Sequence, residues 1–415
     1  MATSQHTDSR GAVRAGDWAL LLRACHSDTV GLGAAVAERF PGRHASDWAG
    51  FLALMDEQGV GPLAASALLS VDADLIPGDV RAALRERVSL GALRAGIQVP
   101  ELLAILEALG AHGVAAIAHK GQALSMLAYG RTGVRDSIDL DLVVRESDVT
   151  AAEEVLRARG YRRNSPGDLR PRVEAAWRRA YNETEFVSHD GWVFVDLHWR
   201  MYPAQFPFRL DSTRLWSRAA RAALEGREVR VFPVETLVGL LCLHGAKDTW
   251  HKLIWLCDVD RVIRVSPTLD WDEVRAFAEE SRCRRAVGLA LLLAHRLFDT
   301  PLPTEVLAPL AGDETLTRLL ARVEDELATG GIRRPWWLAR FGVLPFHLEV
   351  FDSWRDGVVY GGRGLVTPLA WDWELLEVRL PDSLYGLYYL LRPLRLLATL
   401  PRDAFRRGRR PQGRQ

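Results

Sequence analysis

Residues 119–144 read HKGQALSMLAYGRTGVRDSIDLDLVV, and the fold turns on this stretch. A Lys-Gly pair, Lys120 and Gly121, opens a short helical run, Arg135 follows, and Asp139 and Asp141 then stand one residue apart in an apolar strand pattern. Successive strand side chains point to opposite faces, so Ile138, Leu140 and Leu142 share one face and the two aspartates share the other. Strands rarely carry Asp, and two on one face repel each other. A divalent cation would remove that repulsion. Hard carboxylate oxygens at this spacing suit Mg2+ or Mn2+, ions that stabilise the charge developing in phosphoryl or nucleotidyl transfer. The alternative is an edge strand whose aspartates are merely solvated.

The flanking residues favour the metal reading. Residues 114–118 read as a buried strand, and Gly121 allows close backbone approach at the start of a helix expected over 122–130. A strand, a glycine turn and a helix N-terminus together make an anion site, because free N–H groups and the helix dipole face the ligand. Lys120 adds a point charge there. Further on, residues 192–199 read WVFVDLHW, a β-prone run in which Asp196 and His198 lie at i, i+2 on one face. If this strand neighbours the first, Asp196 is a third carboxylate beside the pair. The turn His189-Asp190-Gly191 joins it to a strand over 183–188 as a hairpin.

Composition sets outer bounds. A chain of 415 residues holds two or three domains, and 48% hydrophobic with 26% charged residues is the balance of a globular protein. Net charge is zero, which gives no reason to expect a nucleic-acid partner. The first residues lack a secretory pattern and no uninterrupted apolar run reaches membrane-span length, so the expected compartment is the cytoplasm. Cys25, Cys242, Cys257 and Cys283 are scattered, as reduced, buried thiols would be. Of 53 basic residues only Lys120, Lys247 and Lys252 are Lys, which marks positions where a compact ammonium is wanted in place of a guanidinium.

Lys120-Gly121, Tyr129, Arg135, Asp139-Leu140-Asp141, Gly160-Tyr161 and Asp196-Leu197-His198-Trp199, followed by His244, Lys247, Trp255 and Asp258, form an ordered set. With these motifs the chain resembles the bacterial uncharacterised nucleotidyltransferase family of the DNA polymerase β-like superfamily, over about residues 50–400. The resemblance implies an α+β fold, with a small mixed sheet and helices at 103–212. Helical regions would frame it at 1–102, at 213–330 over the cleft, and at 331–415, an aromatic-rich end with a basic tail. It also implies that Asp139, Asp141 and Asp196 hold Mg2+ or Mn2+, and that Lys120, Gly121, Ser125, Arg135, His198, His244, Lys247 and Asp258 bind the nucleoside triphosphate, with ATP the expected donor. The nucleotidyl group would pass to an unidentified acceptor hydroxyl. One departure stands out: the superfamily usually has Gly-Ser at the turn, and here it is Gly121-Gln122, which raises the alternative of a nucleotide- or partner-binding protein without turnover.

Residues 233–263 read as a helical run started by Pro233. His244, Lys247, Asp248 and His251 fall at i, i+3, i+4 and i+7, hence on one face. That face would meet the nucleotide, the alternatives being an ordinary ion-paired surface or a metal trio of His244, Asp248 and His251. The arginines of 162–181 read as a charged face, solvated or turned toward an anionic substrate. Trp336, Trp337, Phe341, Phe346, Trp354, Trp371 and Trp373 are expected as core or as a pocket wall for a sugar or hydrophobic acceptor. The apolar run from 384 with its basic end allows weak contact with a membrane surface or a partner protein, the reading of a membrane-associated accessory protein.

Overall fold

The structure is a computed structural model and describes residues 15–42, 44–165, 167, 169–329, 344–368 and 381–396. Its first helices, α1 (15–25), α2 (Leu32–Arg39), α3 (Ala49–Glu57) and α4 (Gly61–Leu69), lead into α5 (Gly78–Ala111), which runs 34 residues through an internal Pro100. Helix α5 is long and apolar enough to cross a membrane by length and composition. It lies instead along α4 and against the sheet of the next region.

That sheet has five strands: β1 (Ala116–Ala118), β2 (Asp139–Val144), β3 (Arg162–Ser165), β4 (Glu183–Val187) and β5 (Phe194–His198). Their order is β1-β2-β5-β4-β3, with β2 and β5 parallel and every other pair antiparallel. Helices α6 (Gly121–Tyr129), α7 (Val149–Ala158) and α8 (Pro171–Ala180) connect the strands. Period-2 alternation divides the sheet between two cores. Leu140, Leu142, Val195 and Leu197 pack with Val99, Leu102, Ile105, Val155 and Leu156 of α5 and α7, whereas Val143 and Ile117 join the core of the helical regions. The expected α+β architecture is present.

A short α9 (Ser212–Ser217), capped by the Asp211 carboxylate, precedes the hairpin β6 (Ala220–Leu224) and β7 (Arg227–Val231). Helices α10 (Val234–Lys247), α11 (Leu253–Arg264), α12 (Trp271–Glu280), α13 (Arg284–Phe298), α14 (Thr304–Ala311) and α15 (Glu314–Thr329) then share one apolar core with α1–α4. Helices α16 (Pro345–Val350), α17 (Trp354–Val366) and α18 (388–396) follow.

The structure refines three sequence readings. The run from Pro233 divides into two helices, because Thr249 and Trp250 both take left-handed backbone angles (φ 57 and 54) and turn the chain. Trp250 folds beneath Gly245, where an added Cβ would stand 2.2 Å from the indole, so this turn requires glycine at 245. The arginine-rich segment contains α8. Arg163 and Arg178 are paired with Glu174, and Arg178 also with Glu153, so these two belong to an ion-paired face. Of the aromatic cluster, Phe346 is buried core and Trp354 is exposed, while Trp336, Trp337, Phe341, Trp371 and Trp373 lie outside the described residues, as does the basic end 397–415. The four cysteines are free and buried, as expected.

Candidate active site

Parallel pairing sets Asp141 level with Asp196, and Val143 level with His198. Antiparallel pairing on the other side of β5 sets Glu185 opposite Asp196 and Glu183 opposite His198. By strand alternation Asp139, Asp141, Asp196, His198, Glu183 and Glu185 therefore project from one face, opposite to the one packed on α5 and α7. The third carboxylate expected from the sequence does stand beside the pair.

Asp141 is the centre of the cluster. Its Oδ1 lies 3.3 Å from Lys120 Nζ and 3.1 Å from His198 Nε2, and its backbone carbonyl accepts the His119 N–H at 3.1 Å. The other ring nitrogen of His198 is 2.9 Å from Glu183 Oε2. Burial would lower the His198 pKa, but Glu183 and Asp141 outweigh it and push it up to about 10. Burial would raise the acids; His198 nevertheless brings Glu183 down to about 2, and Lys120 with His198 holds Asp141 well below the usual carboxylate range. Asp196 goes the other way, to about 8, through burial and then through Asp141 and Asp139 despite the opposing pull of His198. Burial and Asp141 likewise raise Asp139.

These shifts fix how stability should vary with pH. His198 stabilises the folded chain fully below its ordinary 6.5, and that contribution is lost as pH rises through about 10. Asp196 is protonated up to about 8 when folded but ionises near 3.8 when unfolded, so it too withdraws stability as pH climbs between those values. In EDTA, thermal melts are expected to show a falling melting temperature from about pH 6.5 upward, and a saturating divalent cation is expected to flatten the fall. A melting temperature that rises over this range in EDTA would contradict the charge arrangement.

The turn from β1 into α6 brings Lys120 and a helix N-terminus to the same face. Gly121 has φ 54, and a Cβ there would meet the Asp139 carbonyl and Ser137 Oγ at 3.3 Å, so glycine lets the turn close against the start of β2. The next residue is turned inward: the Gln122 amide donates to Gln98 Oε1 and accepts the Gly133 N–H, stitching α6 to α5 and to the loop before β2.

Three expected nucleotide contacts are committed elsewhere. The Ser125 hydroxyl is fully buried, donates to the Arg131 carbonyl and accepts the Arg135 N–H, so it holds the 131–135 loop and is not presented to a ligand. Arg135 Nε donates to Asp258 Oδ2 at 2.9 Å, and Asp258 Oδ1 accepts the Tyr129 hydroxyl at 2.9 Å. Asp258 is thus the buried partner of Arg135 and Tyr129. Arg135 still lends positive field, since it opposes the rise of Asp139.

At the end of α10, His244 Nδ1 and Lys247 Nζ lie 3.5 and 3.4 Å from Asp248 Oδ2. Lys120 and Lys247 both act on His244, whose pKa burial drives well below normal, and both help to lower Glu183, so this helix end faces the carboxylate cluster. The helix stops at Lys247, however, and His251 lies in the turn, donating to the Asp248 carbonyl. The metal trio of His244, Asp248 and His251 is not assembled. Among the described residues, the group of metal-ligating side chains whose atoms converge within 4.8 Å is Asp141, Asp196 and His198.

Glu183 and His119 were missed by sequence reasoning. Counting outward from the Asp190-Gly191 turn would have set Glu183 opposite His198; nothing local marks His119, buried with its Nδ1 unpartnered. Beside the C-terminal ends of β2 and β5 opens an aromatic cavity of about 210 Å³, walled by Val143, Trp199, Tyr202, Phe206, Phe208 and Phe232.

Residues 44–299 match a family model described as uncharacterised nucleotidyltransferase. No curated protein matches the chain. Among solved structures, the solution structure of antibiotic-resistance factor ANT(2'')-Ia is similar at 17% identity and TM-score 0.31, over 49% of this chain and 98% of that one. The crystal structure of ANT(2'')-Ia in complex with adenylyl-2''-tobramycin is similar at 16% identity and TM-score 0.32, over 45% and 98%.

Proposed function

Because this chain belongs to the uncharacterised nucleotidyltransferase family, we propose that it moves a nucleotidyl group from a nucleoside triphosphate, with ATP the expected donor, to an acceptor hydroxyl and releases pyrophosphate. The observation that carries the reading is the face shared by Asp139, Asp141 and Asp196 beside Lys120 and the N-terminus of α6. The carboxylates fit a divalent cation: Asp139 and Asp196 are raised by burial and by like-charged neighbours, a strain that such an ion relieves. Asp139, Asp141 and Asp196 would hold Mg2+ or Mn2+, which when bound neutralises phosphate charge and polarises the reacting oxygens.

The chain's own residues supply the rest. Lys120 and Lys247 bring ammonium charge to the triphosphate, and the first N–H groups of α6 add dipole. His198, fixed between Glu183 and Asp141, orients the Asp141 carboxylate. Asp196 takes the proton of the acceptor hydroxyl as its oxygen bonds to the α-phosphorus in line and the bond to pyrophosphate breaks. The aromatic cavity two residues along β2 from Asp141 offers a wall for the body of the acceptor. Four free, buried thiols suit a reducing, cytoplasmic compartment.

A second reading, binding without turnover, is favoured by Gln122, whose amide is consumed inside the fold and leaves the turn without the side-chain hydroxyl usual there. Pyrophosphate release from each triphosphate, assayed against pooled hydroxyl acceptors, separates the two. Release dependent on metal and acceptor supports transfer, whereas metal-dependent nucleotide binding with no pyrophosphate supports the second reading.

A further inference from the structure

Two carboxylates and an imidazole make up the converging group, and this mixture bears on which ion the site prefers. We propose that His198 is itself a ligand of the inner divalent ion through Nε2, that Glu183 is the carboxylate that orients it, and that the site therefore selects a first-row transition ion such as Mn2+ over Mg2+. The proposal rests on the nucleotidyltransferase reading above and adds the identity of a ligand and of the ion.

Strand geometry supports the ligand assignment. Asp196 and His198 lie at i, i+2 on β5, and the parallel register sets Asp141 level with Asp196, so one ligand atom from each comes within 4.8 Å of the other two. Nε2 points into the carboxylates, 3.1 Å from Asp141 Oδ1, and a bound ion would replace the proton that Nε2 carries toward Asp141 in its absence. Nδ1 faces the other way, 2.9 Å from Glu183 Oε2. Metal-binding histidines characteristically donate their second ring N–H to a carboxylate, which fixes the tautomer and the ring plane and leaves the other lone pair for the ion. Glu183 and His198 are opposed in the β4/β5 register, so that donation is built into the sheet and does not depend on a loop. His198 is 4% exposed, so its ring is held within the cluster. A second buried histidine, His119, adjoins the cluster: its backbone N–H donates to the Asp141 carbonyl, and its ring Nδ1 has no partner.

The ion preference follows from ligand chemistry. Mg2+ takes oxygen ligands in near-ideal octahedra and gives up water reluctantly, so an imidazole fixed by a strand is a poor exchange for it. First-row transition ions accept imidazole, and Mn2+ also suits carboxylate and phosphate oxygens.

The test is Mn2+ binding to the full chain, followed by electron paramagnetic resonance with electron spin-echo modulation, which detects nitrogen bonded to Mn2+. Directly coordinated 14N is expected in the native protein and not in His198→Asn. Mn2+ should bind at least about tenfold more tightly than Mg2+ by competition, and this preference should collapse in His198→Asn. Glu183→Gln should keep the nitrogen signal while weakening Mn2+ binding about 10- to 100-fold. If His198→Asn does not fold, the native spectrum still decides. Mn2+ that binds and is lost in Asp196→Asn, yet shows no coordinated nitrogen or no preference over Mg2+, overturns the assignment of His198 and leaves the transferase reading standing. No Mn2+ bound at all, or binding unaffected by Asp196→Asn, overturns both.

Discussion

Replacing Asp139 by Asn is expected to abolish nucleotidyl transfer while leaving the fold intact and its melting temperature, in EDTA, unchanged or raised. The two effects separate because Asp139 is partly buried on a rigid strand and is held above its ordinary pKa by burial and by the charge of Asp141. An isosteric neutral amide relieves that repulsion but gives up a hard anionic ligand. Catalysis of this kind is mostly positioning and electrostatics, so the loss should be on the order of 4 kcal/mol of barrier, or about 10³-fold in turnover. A purely structural Asp139 would give a different pair of results, with activity retained. Pyrophosphate release and a thermal melt on the same preparation read both quantities.

Asp258→Ala should do the reverse, damaging the fold first. Its carboxylate is fully buried and accepts from both Arg135 and Tyr129, joining the loop ahead of β2 to α11. Removing it leaves the buried Arg135 guanidinium without a counter-charge, which costs about 3–5 kcal/mol. Denaturant unfolding should therefore show that loss in equilibrium stability, and a Tyr129→Phe companion should lose only about 1 kcal/mol, the net worth of one hydrogen bond. If Asp258→Ala unfolded like the native chain while its nucleotide affinity dropped, the carboxylate would belong to the ligand and not to the fold.

Much of the site could be read from local pattern. The alternation around Asp139 and Asp141, the glycine turn at 121, the hairpin at Asp190-Gly191 and the Asp-Leu-His run each imposes its geometry through nearest neighbours along the chain, and each appears where expected. Pairing was less legible. That β2 and β5 are adjacent and parallel is a property of the sheet order, for which the sequence carried only the condition that Asp196 would join the pair if the strands met. The partners of the polar residues were hidden for a related reason. Ser125, Arg135 and Asp258 are types that bind phosphate or sugar, and only tertiary burial shows them bonding to one another and to backbone. The position of the break after Lys247 was hidden because the apolar period continues across it, while the left-handed backbone at Thr249 and Trp250 is set by packing beneath Gly245 and not by any turn-forming residue.

Calorimetric titration of each nucleoside triphosphate, with and without Mg2+ or Mn2+, on the native chain and on Asp139→Asn/Asp141→Asn, tests the central claim most directly. The expected result is binding of a nucleotide that requires the metal and is lost in the double variant. Binding that ignores both the metal and the two substitutions, or no binding of any nucleotide, would contradict it.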